Sequence, residues 1–196
     1  PIDAAQYVAL TGPSSPTGLT DGILYFWDDG GSNTGGNRAG TYVTRDLAGN
    51  VVNGSFDGYI RSGQGFFTRG TANGVLSLNR QHQELITGSN SDAGFFRQVN
   101  QNKVQLRLSL SNDEVSDELL VNFTEEASKG DDPGYDARKL INPILSFYTW
   151  MNEEQLAIQA LPLDFSEEVR ISLGIEAQTE GSYQLAVRGK LGLSDD

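Results

Sequence analysis

Val104-Gln105-Leu106-Arg107-Leu108-Ser109-Leu110 alternates apolar and polar residues at every step. A strand turns successive side chains to opposite faces, so this run points Val104, Leu106, Leu108 and Leu110 into a core and Gln105, Arg107 and Ser109 into water. Leu119-Leu120-Val121-Asn122-Phe123 is predicted to pair with it, with Leu119, Val121 and Phe123 inward. One dry face and one wet face is the pattern of an antiparallel sheet. Further strands are predicted at 23–27, 41–45, 65–69, 75–78, 145–150, 155–160, 169–173 and 182–188. Turn chemistry at Ala48-Gly49-Asn50, Asn53-Gly54, Asn73-Gly74, Asn152 to Glu154 and Glu180-Gly181 separates them, because these residue types adopt positive φ cheaply. Pro162 is expected to end the strand before it. Only 136–141 reads as helical, and it is short. The expected fold is all-β: an antiparallel β-sandwich, jelly-roll-like, with long polar loops and one short helical turn.

The chain has 196 residues. A chain of this length buries roughly 70% of its unfolded surface and needs neither a disulfide nor a metal to hold a core. It reads as one domain over 1–196, with the loop at 88–94 as the place where it would subdivide. The start, Pro1-Ile2-Asp3, reads as a cut inside a longer protein. There is no cysteine and one histidine, His82. Disulfide frameworks, thiolate metal sites, cysteine nucleophiles and multi-histidine sites are thereby excluded. His82 sits in a polar run without a nucleophile-elbow pattern, so it reads as a surface or sheet-edge residue.

The net charge is −12 and the pI about 4.4. Nucleic acid and anionic membrane surfaces are unsuitable partners for such a chain. No apolar run is long enough to span a bilayer.

Between Asp113 and Asp136 lie nine acids against the single base Lys129. Carboxylates at this density repel unless water or a cation screens them. Glu125, Asp131, Asp132 and Asp136, with bends at Gly130 and Gly134, could supply the oxygen ligands that calcium takes, although the spacing is not that of an EF-hand. The alternative is a solvated loop in which Asp136 caps the short helix.

A second candidate site follows the strand at 23–27. Tyr25, Trp27, Tyr42 and Tyr59, with Asp28 and Asn33, combine aromatic rings with hydrogen-bonding groups, which is what carbohydrate recognition uses. The competing reading assigns these rings to the core and the loop after Trp27 to an ordinary turn. Catalysis by paired carboxylates has no specific signal, since 26 acids guarantee a close pair by chance. Arg61-Ser62-Gly63-Gln64-Gly65 lacks the helix and Gly-Lys-Ser/Thr of a phosphate loop and is expected to be a tight bend carrying Phe66 and Phe67 into the core.

Several segments in order resemble a known pattern. They are Ile60-Arg61-Ser62-Gly63-Gln64-Gly65-Phe66-Phe67, Gly94-Phe95-Phe96-Arg97, Leu106-Arg107-Leu108-Ser109-Leu110-Ser111-Asn112, Asp117-Glu118-Leu119-Leu120-Val121-Asn122-Phe123, Glu125-Glu126-Ala127-Ser128-Lys129-Gly130-Asp131-Asp132, Gly134-Tyr135-Asp136-Ala137-Arg138-Lys139-Leu140, Leu156-Ala157-Ile158-Gln159-Ala160-Leu161-Pro162 and the stretch 169–174. Together they resemble the β-rich region preceding the C-terminal sorting domain in type IX secretion cargo and surface adhesins of Bacteroidota. The resemblance implies an extracellular or cell-surface, non-catalytic module acting in adhesion or as a spacer near a C-terminal anchor. Its implied partners are surface glycans, other surface proteins, and the secretion and anchoring machinery through a sorting domain absent from this sequence. The alternative function is a carbohydrate-binding module attached to a secreted hydrolase.

Overall fold

A computed structural model describes residues 1–29, 40–75, 103–166 and 168–193. The all-β expectation holds. The central pair forms as the alternation dictates: β6 (Val104–Ser111) and β7 (Ser116–Thr124) are antiparallel, with Leu106 opposite Val121 and Leu108 opposite Leu119. β9 (Leu145–Met151) and β10 (Glu154–Pro162) form a hairpin whose turn residues Asn152 and Glu153 both take positive φ, 48° and 67°. With β8 (Ala137–Arg138), β11 (Ser172–Ala177) and β12 (Gln184–Leu191) these strands make one seven-stranded sheet, ordered β11-β9-β10-β7-β6-β12, with β8 beside β10.

The sheet is mixed, which corrects the antiparallel expectation. β10 is antiparallel to β9 as far as Leu156 and then runs parallel to β7 from Ile158 to Pro162. A register shift between Leu156 and Ile158, where β8 pairs, lets one strand serve both neighbours. β9 thereby comes back over β7, and Leu145 and Phe147 join Leu110, Leu119, Val121 and Phe123 in one buried cluster.

Two other expectations fail near the termini of this sheet and of the chain. Residues 136–141 form no helix; Ala137 and Arg138 pair with β10, and Lys139 N donates to Gln155 O. The one helix among the described residues is α1 (Ala4–Thr11), after β1 (Ile2–Asp3). Asp3 caps it, accepting from Ala5 N at 2.7 Å and Gln6 N at 3.1 Å. Ala4, Tyr7, Val8 and Thr11 form its buried face at helical spacing.

β2 (Leu24–Asp28), β3 (Thr41–Arg45) and β4 (Val51–Val52) make a second, antiparallel sheet, and β5 (Tyr59–Ile60) pairs with β1. Leu24 and Phe26 face α1 and Ile60, while Tyr25 turns the other way and meets Leu120, Ala157 and Ile158 of the large sheet. The supposedly wet face of β6 is therefore an interlayer. Arg107 Nη2 donates to Val51 O at 2.8 Å and Gln105 Nε2 to Asn50 Oδ1 at 2.8 Å.

Residues 65–69 form no strand; Phe67 makes one bridge with Tyr25 through reciprocal bonds of 3.0 and 2.8 Å. The strand expected at 169–173 lies a few residues later, as β11. The expected strand at 75–78, past Val75, and the features at His82 and 88–94 lie outside the described residues.

Candidate functional site

Two acids of the conspicuous acidic stretch, Asp117 and Asp136, are buried, as is Asp46, which the sequence did not single out, and each holds backbone. Asp117 is 2% exposed. Its Oδ1 accepts from Asn53 Nδ2 at 2.7 Å and Glu118 N at 3.0 Å, and its Oδ2 from Phe147 N at 2.7 Å. Lys139 Nζ stands 2.5 Å from the same Oδ2, with its side chain 5% exposed. Burial pulls the Lys139 ammonium below its ordinary value, and Asp117 opposes that. One carboxylate thus joins the turn after β4, the start of β7, β9 and the end of β8.

Asp136 accepts from Asp132 N at 2.8 Å and Ala160 N at 2.7 Å, so it ties the acidic loop to β10. Burial raises its carboxyl to about 6, against the opposing pull of those two N–H groups. Asp46, fully buried, accepts from Asn50 N and Asn50 Nδ2, both at 2.7 Å. Burial raises it to about 7.

The four residues considered as calcium ligands do not come together as one site. Asp132 accepts from Ser128 N at 2.6 Å and Ser128 Oγ at 3.0 Å, Asp131 pairs with Arg138 at 3.3 Å, and Asp136 faces the backbone groups above. Glu125 is exposed where the loop begins. Among the described residues no three acids or histidines are grouped to hold a metal ion. The capping role read for Asp136 is corrected, since its two oxygens are used on a loop and a strand rather than on a helix.

The aromatic set divides. Tyr25 is 3% exposed and belongs to the interlayer core, where burial pushes its hydroxyl well up. Trp27 is 52% exposed, and its ring meets Tyr42 edge-on, with centroids 4.9 Å apart and planes at 64°. Tyr42 in turn meets Phe67 at 6.2 Å and 78°. These rings make a stepped surface rather than a coplanar platform. Gly40 lies against the Trp27 indole, where any Cβ would collide with the ring. Asn33 lies outside the described residues.

Asp28 and Tyr59 flank a cleft that the sequence did not announce. Two adjoining hollows, of about 400 and 460 Å³, share Ser55, Phe56 and Gln64. Phe26, Trp27, Val43, Asp28 and Asp29 complete the first; Asp57, Tyr59 and Arg61 complete the second. Phe56 forms an apolar floor by stacking on Phe26 at 4.7 Å with an interplanar angle of 23°. The rim is shaped locally: Gln64 N donates to Arg61 O at 3.0 Å, Arg61 N donates back to Gln64 Oε1 at 2.9 Å, and Arg61 pairs with Asp57. Gly63, at φ 80°, makes this bend possible. The expected tight bend is thus present, and Phe66 packs inward beside Phe26, but Phe67 stays 58% exposed. Phe56, Asp57 and Gln64 carry no motif. The only signal for them was a polar, glycine-bearing loop between short apolar runs.

An apolar floor with carboxylates, an amide and a guanidinium at its rim suits a polar ligand that has an apolar face. Asp28, Asp29 and Asp57 are all exposed.

No curated protein and no solved structure matches the chain. The family described as Domain of unknown function (DUF8693) matches residues 1–194, and the chain belongs to that family.

Proposed function

We propose that the chain is a non-catalytic extracellular module of a large secreted or cell-surface protein, acting in adhesion or as a spacer near a C-terminal anchor. One observation carries this reading: the buried acids Asp117, Asp136 and Asp46 all accept from backbone N–H groups that hold strands and turns together. The ionisable chemistry of the interior is committed to the fold. The ordered resemblance to regions preceding a sorting domain in type IX secretion cargo supports the same reading. Polysaccharide and glycoside hydrolysis assays on the purified chain test it. No turnover is expected; turnover abolished by Asp57→Asn or Asp28→Asn would overturn it.

The second reading, a carbohydrate-binding module, is favoured by the Phe56 cleft, with Asp28, Tyr59, Asp57 and Gln64 at its rim. Trp27 lines the first hollow as well, and Tyr42, in edge contact with it, extends the surface. A broad glycan array distinguishes an adhesive from a spacing role. Retention of a glycan that is lost in Phe56→Ala and Gln64→Ala favours binding at this cleft. An array with no retained glycan favours the spacer.

A further inference from the structure

β10 carries an amide into apolar surroundings. Leu161 packs on the cluster built on Leu119, Val121 and Phe147, and Gln159, two residues earlier on the same strand, projects to the same side. Gln159 is 6% exposed. Its Nε2 donates to Met151 Sδ at 3.3 Å, and a thioether is a weak acceptor. Its Oε1 is enclosed and has no donor among the described residues. A buried amide oxygen in that state is destabilising and rare in folded proteins.

The amide borders a cavity of about 270 Å³ that shares no lining residue with the Phe56 cleft. Met151, Leu161, Pro162, Val169 and Ile171 supply its apolar wall, and Trp150 borders it as well. The other polar residues around it, Lys129, Asp164, Glu168, Arg170 and Ser172, are all exposed, so the mouth sets two bases against two acids. Glu168 and Arg170 pair at 3.0 Å, and Asp164 accepts from Ser166 N at 2.9 Å. The one buried polar side chain in the wall is Gln159. Only the weak sulfur contact fixes its amide, and the terminal torsion of glutamine is soft, so the oxygen can turn to a donor in the cavity.

We infer that this cavity binds a small neutral aromatic molecule with a single N–H or O–H donor, of the phenol or indole class, with Gln159 Oε1 as the acceptor. The lone interior acceptor sets the number of donors. A saccharide would bring several hydroxyls against a wall that satisfies one, and each unpaired hydroxyl would oppose binding. A hydrocarbon would leave the amide oxygen as it stands. The balanced mouth selects neither anion nor cation. A cavity of about 150 Å³ holds benzene, so this larger one suits a substituted ring or two fused rings. The Met151 thioether adds a preference for an aromatic body, since sulfur packs favourably against a ring edge. The site is independent of whether the module adheres or spaces.

Calorimetric titration and thermal melting of the full chain with phenol, indole, toluene and benzofuran test the inference. Toluene and benzofuran copy the shapes of phenol and indole without the donor. Phenol or indole should bind saturably at one site, raise Tm, and bind at least tenfold more tightly than its donor-free counterpart. Gln159→Leu should erase that preference and keep a cooperative melt, because it removes an oxygen that nothing in the fold satisfies. Leu161→Trp fills the cavity, and Val169→Trp blocks it from an exposed position that the fold does not depend on; both should abolish binding. Absence of saturable binding by phenol and by indole would overturn the inference. So would equal affinity for the donor-free compounds, a preference that survives Gln159→Leu, or binding untouched by both tryptophan substitutions.

Discussion

The Asp117 junction and the Phe56 cleft are both built from acids, amides and one base, yet they do opposite work. At the junction Asp117 and Lys139 are almost wholly buried, and the carboxylate meets three further donors from three segments. In the cleft Asp57 and Arg61 pair on the surface, with side chains 41% and 61% exposed. Water screens the second pair and leaves it little net energy. The first has no water to fall back on, so its value lies in complete satisfaction. Identical chemistry becomes scaffold where it is enclosed and open, water-screened surface where it is not.

Asp117→Ala should break the comparison hardest. It strands the Lys139 ammonium and the Phe147 and Asn53 donors, and removing one partner of a buried pair costs about 3–5 kcal/mol. Denaturant unfolding should show a loss of that size, against less than about 0.5 kcal/mol for Asp57→Ala at the surface. A similar cost at both positions would mean that enclosure is not what separates them. Asp136→Ala comes next, at about 1–3 kcal/mol, since it leaves the Ala160 and Asp132 N–H groups without their acceptor.

Burial raises the carboxyls of Asp21, Asp46 and Asp136, and this makes stability depend on pH. Asp46 at about 7 and Asp136 at about 6 hold protons more tightly in the folded chain than in the unfolded one, where aspartate titrates near ~3.9. The folded state therefore takes up protons between about pH 4 and 7, and stability falls as pH rises through that window. Tm should be higher at the acidic end of it than at the alkaline end. Asp46→Asn should flatten the upper part of the slope while retaining an oxygen for Asn50 N. An unchanged slope in that variant would remove Asp46 as its source.

The readable part of the fold was the part in which local pattern and tertiary role agree. β6, β7 and the β9–β10 hairpin each have a period-2 face that ends in a core, and Asn152–Glu153 is a turn by composition. The parallel pairing of β10 with β7 had no local sign, because it depends on a shift at Leu156 that only its neighbours impose. The helix at Ala4–Thr11 is two turns long, too brief for periodicity to stand out, although Asp3 ahead of an alanine pair was its available signal. The expected helix at 136–141 failed because β10 offered Ala137 and Arg138 hydrogen bonds that an isolated turn could not match. Trp27 was open in the sequence between a binding surface and the core, and it stands 52% exposed because it lies near the end of β2 rather than crossing the interlayer. Phe56 was not found, since its role depends on stacking with Phe26, thirty positions earlier in the chain.

The smallest expected effect falls on the acidic loop itself. A calcium site present at a hundred times its dissociation constant would add about 2.7 kcal/mol, easily seen as a fall in Tm when a chelator is added. In this loop Asp132 already accepts from Ser128 twice, Asp136 from two backbone N–H groups, and Asp131 from Arg138. A cation would have to displace those donors, each of which would then need water or another acceptor. Melting with and without chelator should therefore coincide. A fall on chelation, restored by calcium and absent in Asp132→Asn, would show that the loop opens around the ion, and would move these acids from the scaffold side of the comparison to the ligand side.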